Sequence, residues 1–156
     1  MKALRFFIPL AGFVLLALLL YSGIGKDPHY VAKSTVDKPV PDFALTTLAD
    51  AGVTVTKAQL LGKPYLLNVF GSWCVACQQE HQYLRRYARN GRVPIIGVNW
   101  NDTREDATRW LAQFGNPYSQ VLVDETGHMV IELGVTGAPE SFLVDPQGVI
   151  RYKYIG

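Results

Sequence analysis

The only two cysteines of this 156-residue chain lie in the stretch Trp73-Cys74-Val75-Ala76-Cys77. Two residues separate them, so one helical turn brings the sulfurs within reach of a disulfide. An apolar run, Tyr65-Leu66-Leu67-Asn68-Val69-Phe70, precedes the pair, and a helical pattern from Gln78 to Arg89 follows it. A Cys-x-x-Cys placed between a strand and a helix is a dithiol redox motif. The first turn of a helix carries unpaired N–H groups and the positive end of the dipole. A Cys74 thiolate there is stabilised, which lowers its pKa below that of a free thiol. Cys77, one turn further in, is then the resolving thiol. Zinc is disfavoured, because it takes about four ligands and Cys74, Cys77 and His81 supply three at most. Covalent haem needs a His directly after the second Cys, where Gln78 stands. An inert disulfide closing so short a loop gains little chain entropy. The favoured reading is a redox-active pair, with no metal and no cofactor.

The elements around the pair follow from periodicity. Tyr65 to Phe70 reads as a buried strand. The cysteine-bearing helix runs to about Asn90, where Asn90-Gly91 ends it. Val93 to Trp100 is a second apolar run. Two such strands joined by a helix make a right-handed βαβ unit. Cys74 then lies beyond the carboxyl end of a strand, where open α/β sheets place their sites. Short strands are expected at 42–45 and 53–55, and a short helix at 57–61 capped by Thr56. A further helix is expected at 104–114, capped by Asp102 or Thr103. A strand at 120–123, a short helix at 128–133 and strands at 140–144 and 149–154 complete the pattern. Asp145-Pro146-Gln147-Gly148 joins the last two strands as a turn.

The chain carries 15 Lys and Arg against 13 Asp and Glu. Lys2 and Arg5 account for that excess, so the remainder is balanced and nucleic-acid binding is not expected. Phe6 to Ile24 is apolar except for Ser22 and holds no charge. A helix of that length rises about 28 Å, enough to span a bilayer core. The two cations before it favour an N-terminus left in the cytoplasm. Residues 1–25 are therefore read as a transmembrane anchor or uncleaved signal, and a cleaved signal peptide is the alternative. Residues 26–41, with prolines at 28, 39 and 41, are read as a linker, and 42–156 as the folded domain. Either reading of the N-terminus exports the cysteine pair to an oxidising compartment.

Four segments match one pattern: Lys38-Pro39-Val40-Pro41-Asp42-Phe43, Asn68-Val69-Phe70-Gly71-Ser72-Trp73-Cys74, Glu80-His81, and Gly134-Val135-Thr136-Gly137-Ala138-Pro139-Glu140-Ser141-Phe142. From Lys38 onward the chain resembles the membrane-anchored thioredoxin-like reductases of bacterial cytochrome c maturation, the CcmG/DsbE type. The resemblance implies an α/β thioredoxin-like fold with extra N-terminal strands and an inserted βα element, following one transmembrane helix. It implies a single-pass protein of the bacterial inner membrane, with its catalytic domain in the periplasm. It further implies a reductase acting on a disulfide in apocytochrome c or in a haem-ligation protein, re-reduced by a transmembrane thiol electron donor. Three departures stand out. Val75-Ala76 occupies a position where relatives often carry a proline. Thr136 stands where an aromatic residue is expected. The resemblance also implies a closing helix beyond the last strand, so a chain truncated at Gly156 is expected.

The resemblance implies a cis bond at Pro139 facing the cysteines, with the backbone of Ala138 presented to an incoming extended chain. Trp73 is expected to shield the disulfide and to pack on a partner. Glu80 has no Lys or Arg three or four residues away to pair with. It is set beside an inward face formed by Ala76, Cys77, Tyr83, Leu84 and Tyr87. There it is either an ordinary half-exposed helix glutamate or a carboxylate of raised pKa that exchanges protons with Cys77. The family's acidic active-site residues fall on Glu80 and Glu140, and Glu140 is expected to add a second negative charge near the pair. His81 and His128 are expected at the surface and His29 in the linker, all without chemistry. The competing readings are a general exported reductase, an exported oxidant, and a non-catalytic module that binds a metal or a partner.

Overall fold

A computed structural model describes residues 4–23, 35–91 and 93–156. The chain divides into two units, Met1–Val31 and Ala32–Gly156. The first holds α1, Leu4–Gly23, with Pro9 inside it. Side chains are described for residues 8–22 of this helix, and among the described residues no helix is long and apolar enough to cross a membrane. The linker expected at 26–41 falls partly on residues 24–34, outside the described residues. Residues 35–41 are not a free spacer. Pro39 bridges Val149, the Asp37 N–H donates to the Ile150 carbonyl at 2.7 Å, and Val40 is fully buried.

The second unit is one seven-stranded sheet. Its strands are β1 Ala44–Thr47, β2 Thr54–Thr56, β3 Tyr65–Phe70, β4 Ile95–Trp100, β5 Gln120–Asp124, β6 Glu140–Val144 and β7 Ile150–Ile155. Its helices are α2 Lys57–Leu60, α3 Val75–Asn90, α4 Arg104–Phe114 and α5 His128–Glu132. The strand order is β2-β1-β5-β4-β3-β6-β7. β3 pairs parallel with β4 and antiparallel with β6, and β4 pairs parallel with β5. The β1–β2 hairpin and the α4–β5 pair extend this sheet beyond β4, as the N-terminal and inserted elements expected from the sequence.

β3 lies beside the central strand β4, and both of its faces are covered. Tyr65, Leu67 and Val69 enter a core with Met129, Val130, Leu133, Phe142 and Val144. Leu66 and Phe70 face the other way, onto the core shared with α3 and α4. Phe70 stacks on Tyr118 and Trp110, with ring centroids 4.8 and 5.7 Å away. Each fully buried Leu, Val or Phe contributes about 1.5–3 kcal/mol. Local signals set the ends of the helices. Thr103 caps α4, its hydroxyl accepting from the Asp106 N–H, and Thr56 with Gln59 forms a capping box on α2.

The buried stripe of α3 is Cys77, His81 and Leu84, at spacings of four and three. Ala76, Tyr83 and Tyr87 are exposed, so the inward face differs from the one expected, and His81 belongs to the core rather than the surface. The difference arises because Ala is small enough and Tyr amphipathic enough to sit on either face, whereas a His can be buried once one ring nitrogen is satisfied. His81 packs edge-on against Trp110 at 4.4 Å, and its Nε2 is 2.7 Å from the Gly115 carbonyl. Its Nδ1 is buried with no hydrogen-bond partner among the described residues. Burial holds the His81 pKa below its usual 6.5, opposed by the Gly115 carbonyl and reinforced by Arg85. A His pKa depressed by folding means that the unfolded chain binds the extra proton first. Stability from this site is therefore complete above about pH 6.5 and is lost as pH falls below it. Melting temperatures measured between pH 7.5 and 5.5 should fall less on acidification for His81→Gln than for the wild type. Parallel curves would place the acid sensitivity elsewhere.

Candidate active site

Cys74 is the N-cap of α3, and its sulfur accepts the Cys77 N–H at 3.0 Å. The two residues form a disulfide with their Cα atoms 5.2 Å apart. Cys74 is 5% exposed and Cys77 3%, so accessibility does not distinguish them. Position does, because only the N-cap sulfur receives a backbone N–H and faces the positive end of the helix dipole. On its other side, Cys74 Sγ lies 3.3 Å from the carbonyl oxygen of Ala138, which a reduced thiol would meet as a hydrogen-bond acceptor. The Ala138–Pro139 bond is cis. β6 starts directly after Pro139, and its antiparallel pairing with β3 places this loop against Cys74.

The turn before Cys74 is tied to the loop after β4. Asp102 accepts from the Ser72 N–H at 2.6 Å, the Ser72 hydroxyl at 2.8 Å, Asn99 Nδ2 at 2.8 Å and the Thr103 N–H at 2.9 Å. The Trp73 indole N–H donates to the Trp100 carbonyl at 3.2 Å, and the two indoles meet edge-on at 5.8 Å. A side chain at Gly71 would start 2.5 Å from Trp73 Nε1, so only glycine admits this fold of the ring. Trp73 remains 50% exposed.

A Redoxin family model matches residues 35–156. The thiol:disulfide interchange protein DsbE of Allochromatium vinosum is 46% identical over 155 residues, covering 99% of this chain and 86% of that protein. DsbE of Pseudomonas fluorescens biotype C is 44% identical over 156 residues, covering 100% and 86%. The chain belongs to the DsbE family. Among solved structures, DsbF of Mycobacterium tuberculosis in mixed oxidised and reduced forms superposes with a TM-score of 0.64 at 27% identity, covering 73% of this chain and 84% of that one. With its N-cap cysteine and paired disulfide, this DsbE-family protein is a thioredoxin-like thiol:disulfide oxidoreductase.

Within this family member the two acidic residues occupy different environments. Glu80 is half-buried, one turn beyond Cys77. Its Oε2 is 3.4 Å from Asn68 Nδ2. A side chain at Gly156 would begin 2.9 Å from Pro139 Cγ and 3.6 Å from the Glu80 carboxyl, so Glu80 and the cis-proline loop both border Gly156. Burial raises the Glu80 pKa above 4.5, opposed by the Asn68 hydrogen bond. Asn68 in turn accepts from the Tyr118 hydroxyl at 2.8 Å and donates to Ser141 Oγ at 3.0 Å. Burial, followed by the Glu80 charge, pushes the Tyr118 pKa well above 10.0, so this hydroxyl stays a donor. It fixes the Asn68 amide with its NH2 toward Glu80.

Glu140 departs from expectation. It faces the opposite side of the sheet, with Phe142 and Val144, and is fully buried. Its Oε2 is paired with Lys153 Nζ at 2.8 Å, and the Lys153 side chain is 1% exposed. Its charge is therefore compensated and does not add to that of Glu80. The cation lies thirteen residues along the chain, on β7, beyond the reach of helical spacing. Asn68 and Asp102 stand in the sequence only as a motif residue and a cap candidate, and Tyr118 carries no sequence signal, so their roles at the site come from the structure. The available signals were an Asn inside an apolar strand and an Asp next to a helix cap.

Removing the Glu80 charge should favour a thiolate nearby. Thiolate absorbance of reduced Glu80→Gln should titrate at lower pH than in the wild type, and disulfide exchange should lose pH dependence near neutrality. Superimposable titrations would show that Glu80 is electrostatically remote from Cys74.

Proposed function

We propose that this protein is a periplasmic thiol:disulfide reductase that keeps a haem-ligation substrate reduced during cytochrome c biogenesis. The observation that carries the chemistry is the Cys74 sulfur held between the Cys77 N–H and the Ala138 carbonyl. In the reduced protein the Cys74 thiolate attacks one sulfur of the substrate disulfide. A mixed disulfide forms, and the substrate's other sulfur leaves as a thiolate and takes a proton. Cys77 then loses its proton, with Glu80 as the nearby acceptor, and attacks Cys74 Sγ. The second substrate thiol is released and Cys74–Cys77 closes. Two electrons pass to the substrate, and a membrane dithiol donor returns them. Trp73 and the Ala138-Pro139 backbone form the surface for the incoming chain.

Direction follows from charge. The helix terminus stabilises the Cys74 thiolate by about 1 kcal/mol, and the Glu80 carboxylate opposes it. No Lys, Arg or His stands between Trp73 and Glu80. The thiolate is then less favoured than in a strong oxidant, whose power comes from a stabilised reduced form. The substrate class rests on the sequence resemblance and on the DsbE relatives. The apolar stretch Phe6–Ile24 supports an inner-membrane anchor that places residues 42–156 in the periplasm. Apocytochrome c or a haem-ligation protein is the partner on this reading, and a general exported reductase is the alternative.

Cys77→Ser should trap Cys74 in a mixed disulfide with the substrate, because the resolving thiol is gone. Mass spectrometry of the trapped species should find a cytochrome c assembly protein. An unrelated partner would move the role to a general reductase. The Cys74–Cys77 potential should lie nearer the roughly −270 mV of thioredoxin than the −120 mV of a strong oxidant. A value at the oxidant end would overturn the reductase assignment.

A further inference from the structure

A single carboxylate holds both ends of the loop that faces Cys74. Glu140 Oε1 accepts from the Thr136 N–H at 2.8 Å and from the Thr136 hydroxyl at 2.6 Å. Between these residues lie only Gly137, Ala138 and Pro139. Glu140 Oε2 pairs with Lys153 Nζ, which also donates to the Gly134 carbonyl at 2.8 Å. Lys153 stands directly across from Phe142 in the β6–β7 ladder, with its Nζ 5.2 Å from the centre of that ring. The ammonium thus pins the start of the loop to β7, and the carboxylate closes the loop on itself. The charges are compensated and turned away from the disulfide, so proton transfer to sulfur is not the use the geometry suggests.

We propose that Thr136, Glu140 and Lys153 form a clamp that fixes the Gly137-Ala138-Pro139 backbone in the position from which it pairs with a polypeptide substrate. The inference rests on the reductase reading above. It makes Lys153 and Thr136 positioning residues for one kind of substrate. An extended polypeptide crosses the Ala138 backbone through main-chain hydrogen bonds. A small disulfide needs only the Cys74 sulfur. Loosening the clamp therefore penalises the polypeptide more than the small molecule.

Removing one member of a buried ion pair leaves the other uncompensated and endangers the fold, so the decisive variant is at the exposed Thr136. Thr136→Val keeps the branched shape and loses the hydroxyl donor. The full-length protein, reduced beforehand, is assayed against a synthetic peptide containing a Cys-x-x-Cys disulfide and against hydroxyethyl disulfide. Displacement of reacting groups by about 1 Å costs up to roughly a hundredfold in rate, and losing one of the two Thr136 contacts should lower the peptide-to-small-disulfide ratio of kcat/KM by about tenfold. Thr136→Ser should restore the ratio. The double variant Glu140→Gln/Lys153→Met, which removes both charges together, should lower it as well if circular dichroism shows it folded. An unchanged ratio in Thr136→Val, including an equal fall in both rates, overturns the clamp while leaving the reductase reading in place. Failure of the wild type to reduce the peptide while it reduces the small disulfide overturns both.

Discussion

The antiparallel pairing of β3 with β6 is the constraint on which the site depends. Asn68 lies opposite Ser141 and Val69 opposite Glu140. That register fixes where β6 begins, and therefore where the Ala138 carbonyl sits relative to a cysteine 64 residues earlier in the chain. Strand period does the rest. Because successive side chains alternate, a slip of one residue would send Asn68 to the α5 side and Leu67 toward Glu80. Leu67, Val69, Phe142 and Val144 bury one face together and make such a slip costly.

The same alternation separates two acids that sequence places in one motif set. Glu80 rises from α3 on one side of the sheet, and Glu140 belongs to the other. Burial raises the Glu80 pKa, and the Asn68 amide that hydrogen-bonds to it carries no compensating charge. Glu140 is wholly enclosed and has a full counter-charge at 2.8 Å. A carboxylate beside a thiol opposes its ionisation, whereas a compensated carboxylate organises backbone. The two acids therefore serve different tasks although one pattern contains both.

Rigidity around the nucleophile comes from three directions. Asp102 holds the turn before it, the helix terminus holds the sulfur, and the loop before β6 closes the third side. Asp102 satisfies four donors at once, which locks Ser72 and so the path of the chain into Trp73. The aromatic pair of Trp73 and Trp100 covers the same junction and leaves Trp73 half exposed. Large, stiff aromatic side chains of this kind are common in recognition surfaces.

Much of this protein was legible in its sequence. The Cys-x-x-Cys spacing, the apolar run before it and the helical period after it placed Cys74 at a helix start. Asn90-Gly91, Thr56 and Thr103 marked helix ends through chemistry that acts within a few residues. These signals are local, and local physics sets them. What sequence could not supply was which side chains meet across the sheet. His81 became core because α4 brings the Gly115 carbonyl and Trp110 to its ring. Asn68 became the hub beneath Glu80 because Tyr118 and Ser141 arrive from other elements. Glu140 lost its expected free charge to Lys153, and that pairing is set by strand order and burial. A buried polar group must find a partner wherever the fold offers one, so only the tertiary structure decides which partner it finds.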